Sequence, residues 1–235
     1  MDFMRLQKKL MLSPGRVPVS CSGVDPNARE VLRARILCCL LLIVLCFTPA
    51  IAPASPGLSQ NDLTRLHRGE IVFKNQVPTV EGEPRGNGGT AVALLESDVE
   101  TVWQILTDFE HYAGLFPRVK ESGVVDQYGA RALVRFHVAV GPFNFRFSVA
   151  HIVSWADRQI RWRLDQTQTN DLFRDTWGYW QLEPLGGSRV LVTYAMGSQT
   201  TLPAFLTRGS ERDSVVKTIA ALKARVERTA QTTSN

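Results

Sequence analysis

Residues 93–119 read ALLESDVETVWQILTDFEHYAGLFPRV, and residues 130–153 read ARALVRFHVAVGPFNFRFSVAHIV. The two stretches obey different periods, and the change between them decides the fold class. In the first, Ser97 and Glu100 stand three apart, the spacing of a capping box in which the hydroxyl caps a helix and the carboxylate reaches back. Val99, Val102, Trp103 and Leu106 then fall on one face at helical spacing. Asp108 and Phe109 end that helix, and 110–116 reads as a second short helix closed by Pro117. In the second stretch Ala132, Val134, Phe136, Val138 and Val140 hold the even positions, against Arg131, Arg135 and His137. Past the Gly141-Pro142 turn, Phe143, Phe145, Phe147, Val149 and Val153 take the odd positions, against Asn144, Arg146 and Ser148. Such alternation marks half-buried antiparallel strands.

Outward from this centre, 58–68 reads as a short helix and 70–77 as a strand. The stretch EGEPRGNGG (81–89) is turn-rich, with 86–89 a flexible turn. Strands are expected at 90–95, 119–127, 159–164, 173–183 and 190–196, with PLGGS (184–188) joining the last two. The C-terminal helix lies within 203–229 and carries Val215, Ile219, Leu222 and Val226 on one stripe. The final residues, 230–235, read as a disordered tail. Helices segregated to one side of an antiparallel sheet make an α+β domain. The sheet, of about six or seven strands, curves around the long terminal helix, with two short helices after the first strand.

The chain has 235 residues, 44% apolar and 21% charged, which excludes a disordered or low-complexity polymer. No period of 20–50 residues points to a solenoid or propeller. The net charge is +5, but residues 55–235 hold 20 basic and 19 acidic side chains. That near-neutral body argues against nucleic acid as a partner. The four cysteines, Cys21, Cys38, Cys39 and Cys46, all precede residue 47, so the body holds no thiol chemistry, Cys-based zinc site or disulfide. The four histidines lack metal-ligand spacing, and no G-x-S-x-G elbow, P-loop or dinucleotide fingerprint is present. No cofactor and no metal are expected.

Residues 36–47, ILCCLLLIVLCF, follow Arg33 and Arg35 and precede Ala52-Pro53-Ala54. A basic flank, an apolar run of this length and small residues describe a secretory signal peptide cut after Ala54. Residues 1–54 are therefore the leader and 55–88 an N-terminal extension, and export to the periplasm or an equivalent lumen is expected. The long polar stretch before the apolar run leaves other readings open. Translation starts at Val31, or the leader is a bipartite plastid type, or 36–52 stays as a membrane anchor.

The pattern from Ala93 to Trp103, then Leu106-Thr107-Asp108-Phe109-Glu110-His111-Tyr112 and Phe116-Pro117-Arg118-Val119, resembles the polyketide cyclase/dehydrase and lipid-transport group. That group belongs to the START-like, helix-grip SRPBCC superfamily, with the coenzyme Q-binding START-like proteins. Gly178–Pro184 and Gly186–Tyr194 are similar to its last two strands, and the resemblance covers residues 89–229. It implies a helix-grip fold and a cavity for a lipid, quinone, sterol or polyketide. Fold analogy does not choose among these, and periodicity by itself favours a fully packed core over a cavity.

Parity nominates Phe136, Val138, Phe145, Phe147, Trp162, Trp180 and Tyr194 as cavity residues. Phe205 and Ile219 join from the C-terminal segment, and Leu115 and Phe116 stand at the mouth. The leading expectation is a monomeric, non-enzymatic carrier of a hydrophobic small molecule. The alternative is a cyclase or dehydratase using His151, which shares the inward parity, together with Tyr194 as acid and base. A third reading is a membrane-associated interaction module. Arg131, Arg135, Arg146, Arg161 and Arg163 alternate outward and form a basic face suited to peripheral contact with anionic headgroups. Asp171, Arg174 and Asp175 read as a solvated hairpin end.

Overall fold

The computed structural model describes residues 57–79, 86–200 and 210–233. Along the chain they form α1 (Gln60–His67), β1 (Val72–Lys74), β2 (Asn87–Glu96), α2 (Val99–Thr107) and a 3₁₀ turn (Phe109–His111). Then come β3 (Val119–Tyr128), β4 (Arg131–Val140), β5 (Phe143–Ser154), β6 (Gln159–Leu164), β7 (Phe173–Pro184), β8 (Arg189–Thr200) and α3 (Ser210–Thr233). All strands pair antiparallel in one sheet, in the order β1-β2-β8-β7-β6-β5-β4-β3. The fold is α+β, as the change of period predicts. The strand count is eight because β1 of the N-terminal extension adds to β2, with Val72 opposite Val92.

One face of the sheet closes over α3. Ala91, Ala93 and Leu95 of β2, Val134 of β4, Ile160 of β6 and Val192 of β8 share a core with Val215, Ile219, Leu222 and Val226 of α3. The helix packs mainly against β2 and β8, where the two alanines let its backbone come close. Its four stripe residues are essentially fully buried, and burying each contributes about 1.5–3 kcal/mol. Val99, Val102 and Leu106 of α2 enter the same core.

The opposite face is covered only in part. Leu66 of α1, Val72 of β1, Val92 and Leu94 of β2 and Leu191 of β8 form a second apolar cluster there. Lys74 pairs with Asp62 of α1, and Trp177 donates from Nε1 to the Pro78 carbonyl at 2.9 Å. The N-terminal extension is thereby tied to β1, β2, β7 and β8. Over β4–β6 the same face carries Arg131, Arg135, Arg146, Arg161 and Arg163, all exposed.

Several local expectations are corrected. The cap of α2 is Asp98, whose Oδ1 accepts from the Thr101 amide at 2.6 Å; the helix starts one residue later than a Ser97 cap would place it. The second helix contracts to the 3₁₀ turn at Phe109–His111, because Gly114 adopts a φ of +80° and breaks the helical path. Asn87, Gly88 and Gly89 are strand, opposite Ser198, Gly197 and Met196 of β8. Glycine is needed there for close approach: a Cβ on Gly88 would lie 2.0 Å from the Met196 carbonyl oxygen, and one on Gly89 2.5 Å from the Phe73 ring. Phe143, expected to face inward, is 53% exposed at the β4–β5 turn. Asp175 is buried, not solvated, because Arg163 reaches it at 2.9 Å. Helix α3 continues to Thr233, into the stretch read as a tail.

Candidate functional site

A cavity of about 200 Å³ opens between the sheet and the N-terminal part of α3. Its walls follow from strand parity. β4 supplies Phe136 and Val138, β5 supplies Phe147, Val149 and His151, β6 supplies Trp162, β7 supplies Thr176 and Trp180, and β8 supplies Tyr194 and Met196. Register explains the convergence: Phe136 stands opposite Phe147, His151 opposite Trp162, and Trp180 opposite Tyr194. Facing pairs on one side of a sheet bring their Cβ atoms within about 5.5 Å. The rings therefore touch. Tyr194 lies between Trp162 (5.5 Å, 21°) and Trp180 (4.2 Å, 31°), and Trp180 stacks on Phe116 at 5.9 Å.

Gly178 makes room for this stack. It faces inward between Thr176 and Trp180, and a Cβ there would fall 2.3 Å from the Trp162 ring and 2.2 Å from the Ala195 carbonyl oxygen. The Trp162 indole lies over the bare glycine and so reaches Tyr194.

Six of the nine cavity candidates border the cavity: Phe136, Val138, Phe147, Trp162, Trp180 and Tyr194. Phe116 borders it as well, next to the exposed Pro117 and Arg118. Phe145 and Leu115 pack part-buried against the core, and Ile219 is fully buried; none of the three borders the cavity. Phe205 lies outside the described residues. The parity argument passed over Thr176, Met196 and Val149, although all three obey it. It had no means to find Ser214 and Thr218, one helical turn apart on α3, because a helix seen alone does not reveal which polar residues face a void.

The polar groups inside are few and placed with care. His151 is 5% exposed, and its Nδ1 is buried without a hydrogen-bond partner. Phe109 lies against it at 4.5 Å between ring centres. Burial pushes its pKa down to about 4, so the imidazole is neutral at pH 7. Tyr112 donates its hydroxyl to the Leu106 carbonyl, while the Tyr194 hydroxyl meets the Met196 sulfur at 3.4 Å and the Thr218 side chain. Burial raises both phenols well above the ordinary range, and they stay protonated. His151 and Tyr194 are brought to one cavity but not to each other, since each faces Trp162, at 6.4 and 5.5 Å. Of the other histidines, His111 is exposed beside Asp108 and His137 sits 3.6 Å from Glu121, outside the cavity. Among the described residues no cluster of three His, Cys, Asp or Glu side chains is placed to hold a metal ion, and no helix is long and apolar enough to cross a membrane.

A family model described as polyketide cyclase / dehydrase and lipid transport matches residues 95–223, more than half of the chain. Among curated proteins, none matches the sequence. Similar solved structures include a START superfamily protein from Mycobacterium smegmatis, at 20% identity and a TM-score of 0.52 over 60% of this chain and 97% of that one. A STAR-related lipid transfer protein from Xanthomonas axonopodis aligns at 17% identity and a TM-score of 0.55, over 67% of this chain and 98% of the other. An aromatase/cyclase from Streptomyces sp. R1128 aligns at 18% identity and a TM-score of 0.51, over 60% and 93%. At such identities the likeness is one of fold.

Proposed function

The chain belongs to the polyketide cyclase / dehydrase and lipid transport family, and on that premise we propose that it binds and carries a hydrophobic small molecule. The observation that carries this reading is the cavity itself: about 200 Å³, walled by stacked aromatic rings and open at Pro117 and Arg118. An apolar hollow of about 150 Å³ already takes up a benzene-sized guest. A larger ligand would seat one end inside and leave the rest at the mouth. Affinity would come from removing apolar surface from water, at roughly 25 cal/mol per Å² before the costs of association. The ligand class is a lipid, an isoprenoid quinone or a polyketide-like compound. We further propose that residues 1–54 direct export and that the mature chain begins near Ser55. N-terminal sequencing of the protein from its own host checks this, and a retained apolar segment 36–52 would replace export by anchoring.

The test of carriage is native mass spectrometry of the protein purified from its host, followed by organic extraction. A stoichiometric apolar compound, unaltered on incubation, is the expected result. A protein that is empty, and whose tryptophan emission ignores added lipids, quinones and aromatic polyketides, would sink the reading.

The second reading, a cyclase or dehydratase, is favoured by His151, a titratable ring in the cavity wall that is buried beside the Val149 and Ala132 backbone. It is the weaker one. Acid–base efficiency peaks when the catalytic pKa lies near the working pH, and an imidazole pushed down to about 4 is a poor base at pH 7. The same group serves well as a neutral hydrogen-bond partner that orients a ligand oxygen. Chemical change of the extracted compound on incubation, abolished in His151→Gln, would favour the enzyme.

A further inference from the structure

Arg118 is the only charged residue that borders the cavity among the described residues. Three features mark it as more than a solvated side chain. Its φ is +71°, a left-handed conformation uncommon outside glycine and asparagine and costly for a long side chain. The strain is held from both sides: Pro117 precedes it, and the Ala139 amide of β4 donates to the Arg118 carbonyl at 2.8 Å. Finally, no carboxylate among the described residues pairs with its guanidinium, although carboxylates partner Arg65, Arg68 and Arg163 elsewhere. An exposed guanidinium at the rim of an apolar hollow, with no carboxylate partner among the described residues, is open to an anion that arrives with a ligand.

We propose that Arg118 recognises an anionic group on the ligand, which makes the ligand an amphiphilic acid. Its apolar part occupies the aromatic cavity, and a carboxylate or phosphate remains at the mouth against the guanidinium. The inference rests on the hydrophobic-ligand reading above and narrows its chemical class. The other polar groups in the cavity fit the division: His151, Tyr112 and Tyr194 are neutral at pH 7, so they receive uncharged ligand atoms, and the charge stays where water reaches it.

The experiment titrates the full chain with decanoate and with decanol, which share an alkyl chain and differ in the head. Binding is read from the change in tryptophan emission, to which Trp162 and Trp180 in the cavity wall contribute. The wild type is expected to prefer the acid by about tenfold, and the preference is expected to shrink with added salt because an exposed pair is screened. Arg118→Asn removes the charge and suits the left-handed backbone, so the variant keeps its fold. It should bind the two probes equally, while Arg118→Lys keeps part of the preference. A wild type that does not discriminate, or a preference that survives in Arg118→Asn, overturns the proposal. So does an intact preference combined with lost binding to phosphatidylglycerol vesicles, which assigns Arg118 to a bilayer surface. Failure to bind either probe overturns the hydrophobic-ligand reading itself, and the acid-recognition proposal with it.

Discussion

Trp162 lies across Gly178, and this pair sets the shape of the cavity. A methyl group at 178 would meet both the indole and the Ala195 carbonyl, so neither neighbour yields cheaply. Gly178→Ala should cost about 1–3 kcal/mol by overpacking, read from urea unfolding, and should shift tryptophan emission as the indole leaves Tyr194. A variant as stable as the wild type would mean that the backbone relaxes freely there. His151 makes a second residue-scale prediction. Its folded pKa is about 4, against roughly 6.5 in an unfolded chain. The unfolded state therefore takes up a proton first as pH falls. The stability contribution is complete above about pH 6.5 and is lost progressively down to pH 4. The loss should be on the order of 3 kcal/mol. His151→Gln should remove that part of the pH dependence, and equal slopes for the two proteins between pH 4 and 7 would refute it.

At the scale of elements, the first turn of α2 separates two sequence readings that differ by a single residue. Both Ser97 and Asp98 are good capping residues. Only Asp98 turns its carboxylate onto the Thr101 amide and hydroxyl, which also holds its carboxyl below the usual range. Asp98→Ala should cost about 1 kcal/mol and Ser97→Ala close to nothing, measured by thermal unfolding. The reverse order would restore the Ser97 cap. The strands were easier to read, because β4, β5 and β6 expose one face to water and alternate cleanly. β2 and β8 are covered on both faces, and there the alternation fades into runs such as AVALL and RVLVTYAM. The Asn87–Gly89 start of β2 reads as a turn because its glycines and asparagine are turn residues, whereas the close approach to β8 and Phe73 that requires them is tertiary.

On the scale of the whole molecule, the N-terminal extension is part of the fold. Its α1 and β1 shield Leu66, Val72, Val92, Leu94 and Leu191 from water. A chain beginning at Gly86 would expose Val92, Leu94 and Leu191 on the outer face. It should show a lower melting temperature and self-associate on gel filtration. A stable monomer would show that the sheet needs no cover there.

Local pattern determined much of this protein. The period of two placed Phe136, Phe147, His151, Trp162, Trp180 and Tyr194 on one face, and the period of 3.6 placed Val215, Ile219, Leu222 and Val226 on another, because backbone geometry imposes both. The family resemblance added the expectation of a hollow, which periodicity could not. Only the tertiary structure decided which inward residues line the cavity and which fill the core. Ile219 is fully buried in the core, while Ser214 and Thr218 border the cavity. The same holds for Arg118, whose strained backbone depends on a hydrogen bond from Ala139, a strand away. A void is what remains when side chains from strands far apart in sequence are brought into register, and that sum is fixed by pairing and volume in three dimensions rather than by any one segment.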